Sequence, residues 1–151
     1  MITIRQGATK EDIHYFIANI RPMDKEEVET ASGLPFSVHS QELFSHLEEI
    51  HVIRHNDTII GIGGIHQVEE RKALIWLLLT SDVEKVKMEF LRFSKRYLKG
   101  LLENFDVLFN YVYLKNKLHV DWLTWLGATW VETKEGFSGF LLENRKEELD
   151  V

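Results

Sequence analysis

The chain has 151 residues, enough for one domain to bury a core without disulfides or a structural metal. Hydrophobic residues make up 44% and charged residues 28%, as in ordinary globular proteins, and the absence of cysteine excludes thiolate chemistry. A net charge of -6 argues against a nucleic-acid partner. The longest apolar run, residues 73–79, is too short for a membrane span, and no secretory signal is visible. We therefore expect a cytoplasmic protein with no membrane or nucleic-acid partner.

The first third of the chain predicts one strand followed by three helices, at residues 2–7, 9–21, 24–33 and 40–50. Thr9 is the expected N-cap of the first helix, because its hydroxyl can accept a bond from the first turn. Pro22 should stop or bend that helix. Gly33 should end the second helix, since glycine readily adopts the left-handed conformation found after helix ends.

The rest of the chain predicts strands at 51–57, 58–68, 73–80, 107–114, 129–133 and 137–143, with helices at 83–104 and 118–126. Asn56-Asp57 predicts a hairpin turn between the first two of these strands, and Gly127 should stop the last helix. No linker or repeat divides the chain. We therefore predict a single α/β domain over residues 1–151, of the mixed α+β kind, with a mixed and mostly antiparallel sheet and helices packed on it.

This element order, with Asn116 followed eleven residues later by Gly127, resembles the GNAT (Gcn5-related N-acetyltransferase) superfamily. The stretches "IWLLLTSD…FLRFSK" and "LFNYVYLKNKLHVDWLTWLGA" are similar to phage-encoded GNAT-like proteins, the internal virion or virion-assembly proteins of short-tailed phages. The resemblance implies a twisted sheet of six or seven strands flanked by four or five helices. It also implies a V-shaped splay between the two central strands, where acetyl-CoA binds.

Residue roles follow from the resemblance alone. It implies that Asn110 and Asn116 orient the thioester and that Arg21, Asp24 and Trp76 contact an acceptor amine. The implied cofactor-binding residues are Leu79, Thr80, Ser81, Lys85, Val86, Lys87 and Asn116. If the chain is encoded by a phage, its partners would be virion proteins, and its location the host cytoplasm or the virion.

Two features depart from the family pattern. The loop that holds the pyrophosphate of the cofactor is glycine-rich in such enzymes, but no glycine occurs here between Gly64 and Gly100. Ser81-x-x-Glu84 instead predicts a capping box that would occupy the same N–H groups. The tyrosine that acts as general acid in the family is replaced by Leu123.

Several candidate residues have a structural alternative. Asn110 and Asn116 also suit a strand and a turn, and Asp24 suits a helix cap beside Arg21. Trp122, Trp125 and Trp130 suit core packing better than a pocket wall. Glu69 and Glu70 suit a solvated turn as well as a general base. Gly61, Gly63 and Gly64 indicate a bulge, a close backbone approach or a ligand.

Two hypotheses of different class remain open. The first is an N-acetyltransferase that transfers acetyl from acetyl-CoA to an amine of a small molecule or protein. The second is a virion-assembly protein that retains the fold without turnover. The basic row on the long helix suits a solvated face better than an acidic partner. The scattered histidines predict no metal site.

Overall fold

A computed structural model describes residues 1–144 as an α/β fold with a mixed seven-stranded sheet and five α-helices. The strands are β1 (Ile2–Gln6), β2 (His51–His55), β3 (Thr58–Glu69), β4 (Lys72–Leu79), β5 (Val107–Tyr113), β6 (Thr129–Lys134) and β7 (Phe137–Glu143). The helices are α1 (Lys10–Asn19), α2 (Pro22–Ser32), α3 (Phe36–Leu43), α4 (Lys87–Leu101) and α5 (Lys117–Trp125). The predicted fold class and element order are confirmed.

The strand order in the sheet is β1-β2-β3-β4-β5-β7-β6. β1 pairs with β2, β2 with β3, β5 with β7 and β6 with β7, all antiparallel, whereas β4 and β5 are parallel. The parallel ladder joins Lys72–Leu74 to Val107–Phe109, which is only the first three residues of each strand. No helix in residues 1–144 is long and apolar enough to cross a membrane.

Several predicted helix boundaries are wrong. Helix α1 ends at Asn19, and Pro22 opens α2 as a first-turn residue, because proline lacks only an N–H that the first turn leaves unbonded anyway. The third helix begins at Phe36, and a separate 3-10 turn occupies Leu47–Glu49. The long helix begins at Lys87, after the 3-10 turn Ser81–Lys85, and ends at Leu101.

The chain divides into two compact units, the first comprising Met1–Gly64 and Trp76–Phe90. Its core joins α1, α3 and the strands, with Ile13, Phe16, Phe36, Ile50, Ile62 and Leu78 all buried. The predicted cap of α1 is confirmed, since the Thr9 hydroxyl accepts from the Asp12 N–H while the Asp12 carboxylate accepts from the Thr9 N–H. This reciprocal box fixes the entry into α1 and therefore the position of Phe16.

The second unit comprises Ile65–Ile75 and the described chain from Leu91 onward. Its buried core consists of Ala73, Leu98, Leu108, Val112, Phe140 and Leu142. Alternate residues of β5 and β7 supply most of this core, as the period of two in a strand requires. Residues of α4 and α5 cover it, among them Leu101, Val120 and Leu123.

Candidate functional site

In the first unit, the buried carboxylate of Asp24 bonds the end of β4 to the start of α2. Its Oδ2 accepts a 2.6 Å hydrogen bond from the Leu79 N–H, and its Oδ1 accepts one from the Arg21 guanidinium. The Arg21 N–H in turn donates to the Leu79 carbonyl at 2.9 Å. Asp24 is fully buried, so the partners replace the water it has lost. Asp24 is therefore not the helix cap; Arg21 occupies that position.

Thr80, the next residue of the predicted cofactor loop, is also bonded within the chain. Its N–H donates to the Ile60 carbonyl and its hydroxyl to the Ile59 carbonyl, both at 2.9 Å. It forms an isolated antiparallel bridge with Ile20 and is fully buried. Leu79 and Thr80 thus use their backbone groups in the fold of the first unit.

The predicted capping box between Ser81 and Glu84 is wrong. The cap position of the 3-10 turn is Thr80, with no side-chain cap bond, and the Glu84 carboxylate contacts two cations instead. It lies 2.7 Å from the Lys87 ammonium and 3.3 Å from the Arg21 guanidinium. The hydrogen bond from Lys87 is the largest cause of a lowered pKa for Glu84. An anionic side chain therefore pairs with Lys87, one of the predicted cofactor-binding residues, and with Arg21, a predicted acceptor contact.

Sequence reasoning missed Tyr15, whose hydroxyl donates a 2.6 Å hydrogen bond to the Asp82 carboxylate. This bond raises the pKa of Tyr15, because the neighbouring carboxylate disfavours the phenolate. A cavity of about 280 Å³ in the first unit is lined by Tyr15 together with the ion pair of Asp12 and Arg54. Asp12 and Arg54 lie 42 positions apart along the chain and Tyr15 and Asp82 lie 67 apart, so no local pattern could have joined either pair.

Trp76 explains two of the three glycines predicted to mark a bulge, a close approach or a ligand. A Cβ on Gly63 would lie 2.7 Å from the Trp76 carbonyl oxygen, and one on Gly64 would lie 2.4 Å from the Trp76 indole nitrogen. Gly61 would clash with Leu79 in the same way. A register shift also occurs opposite these residues, between Ile53 and Arg54. Close approach by β4 thus occurs at all three glycines, and the register shift fits the bulge that the sequence also predicted.

The two asparagines belong to the second unit and are held there. The Asn110 amide donates to the Ile75 carbonyl at 2.8 Å, one residue beyond the parallel ladder, and its oxygen accepts from the Tyr111 N–H. Asn116 is fully buried at the start of α5, and its carbonyl accepts from the Val120 N–H. Leu123, at the position of the family's tyrosine, packs against the core.

The remaining candidates of the second unit are mostly exposed. Trp122 is buried, as core packing predicts, but Trp125 is 48% and Trp130 37% exposed, so only one of the three tryptophans fits that prediction. Glu69 and Glu70 are exposed at the end of β3 and in the following turn. Arg92, Lys95, Arg96 and Lys99 form an exposed row on α4. Within residues 1–144, no group of three or more histidine, aspartate or glutamate side chains could hold a metal ion.

Solved structures of N-acetyltransferases share this architecture. A spermidine N-acetyltransferase chimera of Vibrio cholerae SpeG and hSSAT has a TM-score of 0.67 at 13% identity, with 99% of each chain covered. The V. cholerae spermidine enzyme with CoA and spermine gives 0.64 at 12%, covering 93% of this chain and 92% of that one. PseH of Campylobacter jejuni with acetyl coenzyme A gives 0.59 at 12%, covering 95% and 99%. The chain therefore has the GNAT fold.

A match to a sequence family adds to the likeness in fold. The family model described as "Bacteriophage T7, probable scaffold protein Gp13" matches residues 49–135, which is more than half of the chain. The chain belongs to this family. Both parts of the predicted resemblance, to GNAT enzymes and to phage proteins, are thereby confirmed. No curated protein matches the sequence.

Proposed function

We propose that this protein acts in the assembly of a phage particle as a GNAT-fold protein that does not turn over acetyl-CoA. Its partners are other virion proteins, and it works in the host cytoplasm or in the particle itself. The family to which the chain belongs supports this role, because its description is that of a probable scaffold protein. The observation that carries the proposal is the double bonding of the Leu79 backbone by Asp24 and Arg21.

An anionic cofactor needs backbone N–H groups that are free to donate to it. Backbone N–H groups at the start of a helix bind a pyrophosphate when they are free and can be approached closely. The N–H groups of Leu79 and Thr80 are already donated to Asp24 and Ile60, inside a fully buried segment. Breaking such bonds leaves unsatisfied polar groups, at a cost of about 1–3 kcal/mol each. Two of the seven predicted cofactor residues are thus committed to the fold.

Charge and acid chemistry point the same way. The Glu84 carboxylate pairs with Arg21 and Lys87, and the Asp82 carboxylate accepts a hydrogen bond from Tyr15. The 3-10 turn before α4 therefore carries two carboxylates. An incoming pyrophosphate would meet two like charges there. Leu123 carries no proton for a leaving thiolate, and loss of a general acid typically lowers a rate by about 10²-fold or more. An assembly protein needs none of these functions.

Complementation of the phage that carries the gene tests the role. A deletion should lower the yield of complete particles, and wild-type protein supplied in trans should restore it. Lys85→Glu combined with Lys87→Glu should restore it equally, because this pair removes the cations predicted to meet a cofactor while leaving the core untouched. Normal particles from the deletion strain, or failure of the double variant together with measurable acetyl-CoA binding by the wild type, would overturn the proposal.

A second candidate function is acetyl transfer from acetyl-CoA to an amine, and the short parallel ladder favours it. In a GNAT enzyme the central strands separate to admit the cofactor, and here the ladder of β4 with β5 covers three residue pairs. The amine nitrogen would attack the thioester carbonyl, forming the C–N bond as the C–S bond breaks, and the proton that the nitrogen loses would pass to the departing CoA thiolate. Asn110 and Asn116 would position the thioester, and Ser81, Lys85, Val86 and Lys87 would contact the cofactor.

Calorimetry with acetyl-CoA and desulfo-CoA separates the two functions. The assembly role predicts no heat of binding at millimolar ligand. Saturable binding with a Kd below about 100 µM would establish the second function, since that affinity needs several kcal/mol of specific contacts. Spermine is the first amine to test for turnover, because a structurally similar enzyme binds it. The substrate contacts predicted at Arg21, Asp24 and Trp76 would then be probed by Trp76→Phe.

A further inference from the structure

One face of the sheet in the second unit is apolar and exposed. We name Phe109, Tyr111, Val131 and Leu141 the outer face. Tyr111 is 46% and Val131 42% exposed, while Phe109 and Leu141 are half-buried. In an antiparallel sheet with one face on the core, the other face is normally polar. Aromatic and aliphatic residues at these positions therefore need an explanation that the core of this unit does not supply.

Strand register places these four side chains on one surface. Phe109 is the direct partner of Leu141 in the β5–β7 pair, so the two lie side by side. Tyr111 is the partner of Gly139, where an added Cβ would lie 3.4 Å from the Tyr111 ring and 2.6 Å from a Val131 methyl group. The side chains of Tyr111 and Val131 thus both pack over Gly139. The outer face is continuous across β5, β7 and β6.

The opposite face is the covered one. Leu108, Val112, Phe140 and Leu142 alternate with the outer-face residues and form the buried core of the unit. The helix residues that pack on the sheet, Leu98, Val120 and Leu123 among them, all belong to this core cluster. The outer face is therefore a second apolar surface of the same sheet, and it ends at β6, an edge strand with all six residues exposed.

Two opposite charges flank the outer face. The Lys72 ammonium lies 5.0 Å from the centre of the Phe109 ring, on the β4 side. The Glu132 carboxylate accepts a 2.6 Å hydrogen bond from the Tyr111 hydroxyl, on the β6 side. A two-fold axis that lies in the contact plane and runs along the strands would bring the cation of one copy towards the anion of the other. In that arrangement Lys72 and Glu132 of one copy would face Glu132 and Lys72 of the other, with aromatic residues between them.

We infer that the outer face is the contact surface of a symmetric homodimer of this chain. The apolar side chains would pack against their own copies, as in interface cores, where tyrosine and phenylalanine are enriched. Lys72 and Glu132 of the two copies would pair at the rim. This inference rests on the second unit alone and does not depend on the role in particle assembly or on acetyl-CoA.

Sedimentation equilibrium of the purified chain tests the dimer. Between roughly 1 and 200 µM, the wild type should shift reversibly from monomer to dimer. Tyr111→Glu and Val131→Glu should each weaken the dimer by about tenfold or more, because they bury a charge without a partner. Trp125→Glu is the matched control: Trp125 is 48% exposed on α5, which packs on the covered face of the same unit, so the dimer should not change.

A chemical readout covers the case in which a glutamate variant fails to fold. The chain has no cysteine, so single Val131→Cys and Trp125→Cys variants report one position each. Maleimide should react more slowly with the first variant as protein concentration rises, and at a constant rate with the second. A wild type that stays monomeric at the highest concentration would overturn the dimer. So would a dimer that tolerates both outer-face glutamates, or equal maleimide protection at the two positions.

Discussion

Asp24 has a structural role that its sequence neighbours do not reveal. An aspartate two residues after Pro22 resembles a helix cap, and local pattern supports that assignment. Its main partner is the N–H of Leu79, 55 residues further along the chain, and its side chain is fully buried. A buried carboxylate is tolerated because Arg21 and that N–H replace water. Asp24 and Arg21 thus bond both ends of the predicted cofactor loop, Asp24 at Leu79 and Arg21 at Glu84.

Removal of this carboxylate should be costly. Asp24→Ala leaves the Leu79 N–H and the Arg21 guanidinium without their partner, so we expect a loss of roughly 3 kcal/mol in the free energy of unfolding. Urea denaturation followed by circular dichroism measures it. Glu42→Ala, at an exposed position near the end of α3, is the control and should change stability by less than about 0.5 kcal/mol. Equal effects of the two variants would contradict the assigned role.

His51 should make stability depend on pH. Burial lowers the pKa of His51 below its ordinary 6.5, and its Nδ1 has no hydrogen-bond partner within residues 1–144. Below pH 6.5 the unfolded chain therefore binds the proton more readily than the folded chain, and stability falls as pH decreases. The urea midpoint should drop between about pH 7.5 and about pH 5.5. In His51→Gln this drop should be smaller; an identical pH dependence would exclude His51 as its source.

Within the secondary-structure elements, replacing a glycine should have opposite effects on stability in β3 and in α4. Gly63→Ala would place a methyl group 2.7 Å from the Trp76 carbonyl oxygen, so the β3 and β4 backbones must move apart, and we expect a loss of about 2 kcal/mol or more. Gly100→Ala, near the end of α4, meets nothing within 4 Å and should gain about 0.5–1 kcal/mol from helix propensity. Thermal unfolding of both variants should give shifts of opposite sign.

Local patterns predicted most elements because they need no distant partner. The Thr9 cap, the Gly33 helix end, the hairpin at Asn56 and the Gly127 stop all follow from a few adjacent residues. The start of α4 could not be predicted in this way. Ser81 and Glu84 have the spacing of a capping box, but Glu84 bonds Arg21, 63 residues away, and a 3-10 turn forms instead. The capping box was mispredicted because tertiary bonds outweigh local ones there.

The whole molecule has the frame of the GNAT fold, and Leu79 and Thr80 of the predicted cofactor loop are bonded within the chain. Frame and chemistry depend on different residues: the sheet order needs the alternating apolar strands, whereas cofactor binding needs free backbone N–H groups before α4. The first set is present, and in the second set Leu79 and Thr80 are bonded internally. The fold and the reaction therefore depend on separate residues, and either can change without the other.

The two units should unfold together, because β3, β4 and α4 each run through both of them. Phe16→Ala deletes a fully buried ring of the first core, at an expected cost of about 3–5 kcal/mol. In a Trp76→Phe background the remaining tryptophans all lie in the second unit. Their fluorescence midpoint in urea should nevertheless fall with Phe16→Ala, in step with circular dichroism.

Ile17→Ala is the control for this prediction, since Ile17 lies on the same helix but is 40% exposed. It should shift the fluorescence midpoint little, because little apolar surface is lost from the core. If Phe16→Ala left the fluorescence midpoint unchanged while circular dichroism split into two transitions, the units would be independent folding domains. The three continuous elements would then act as tethers without transmitting stability.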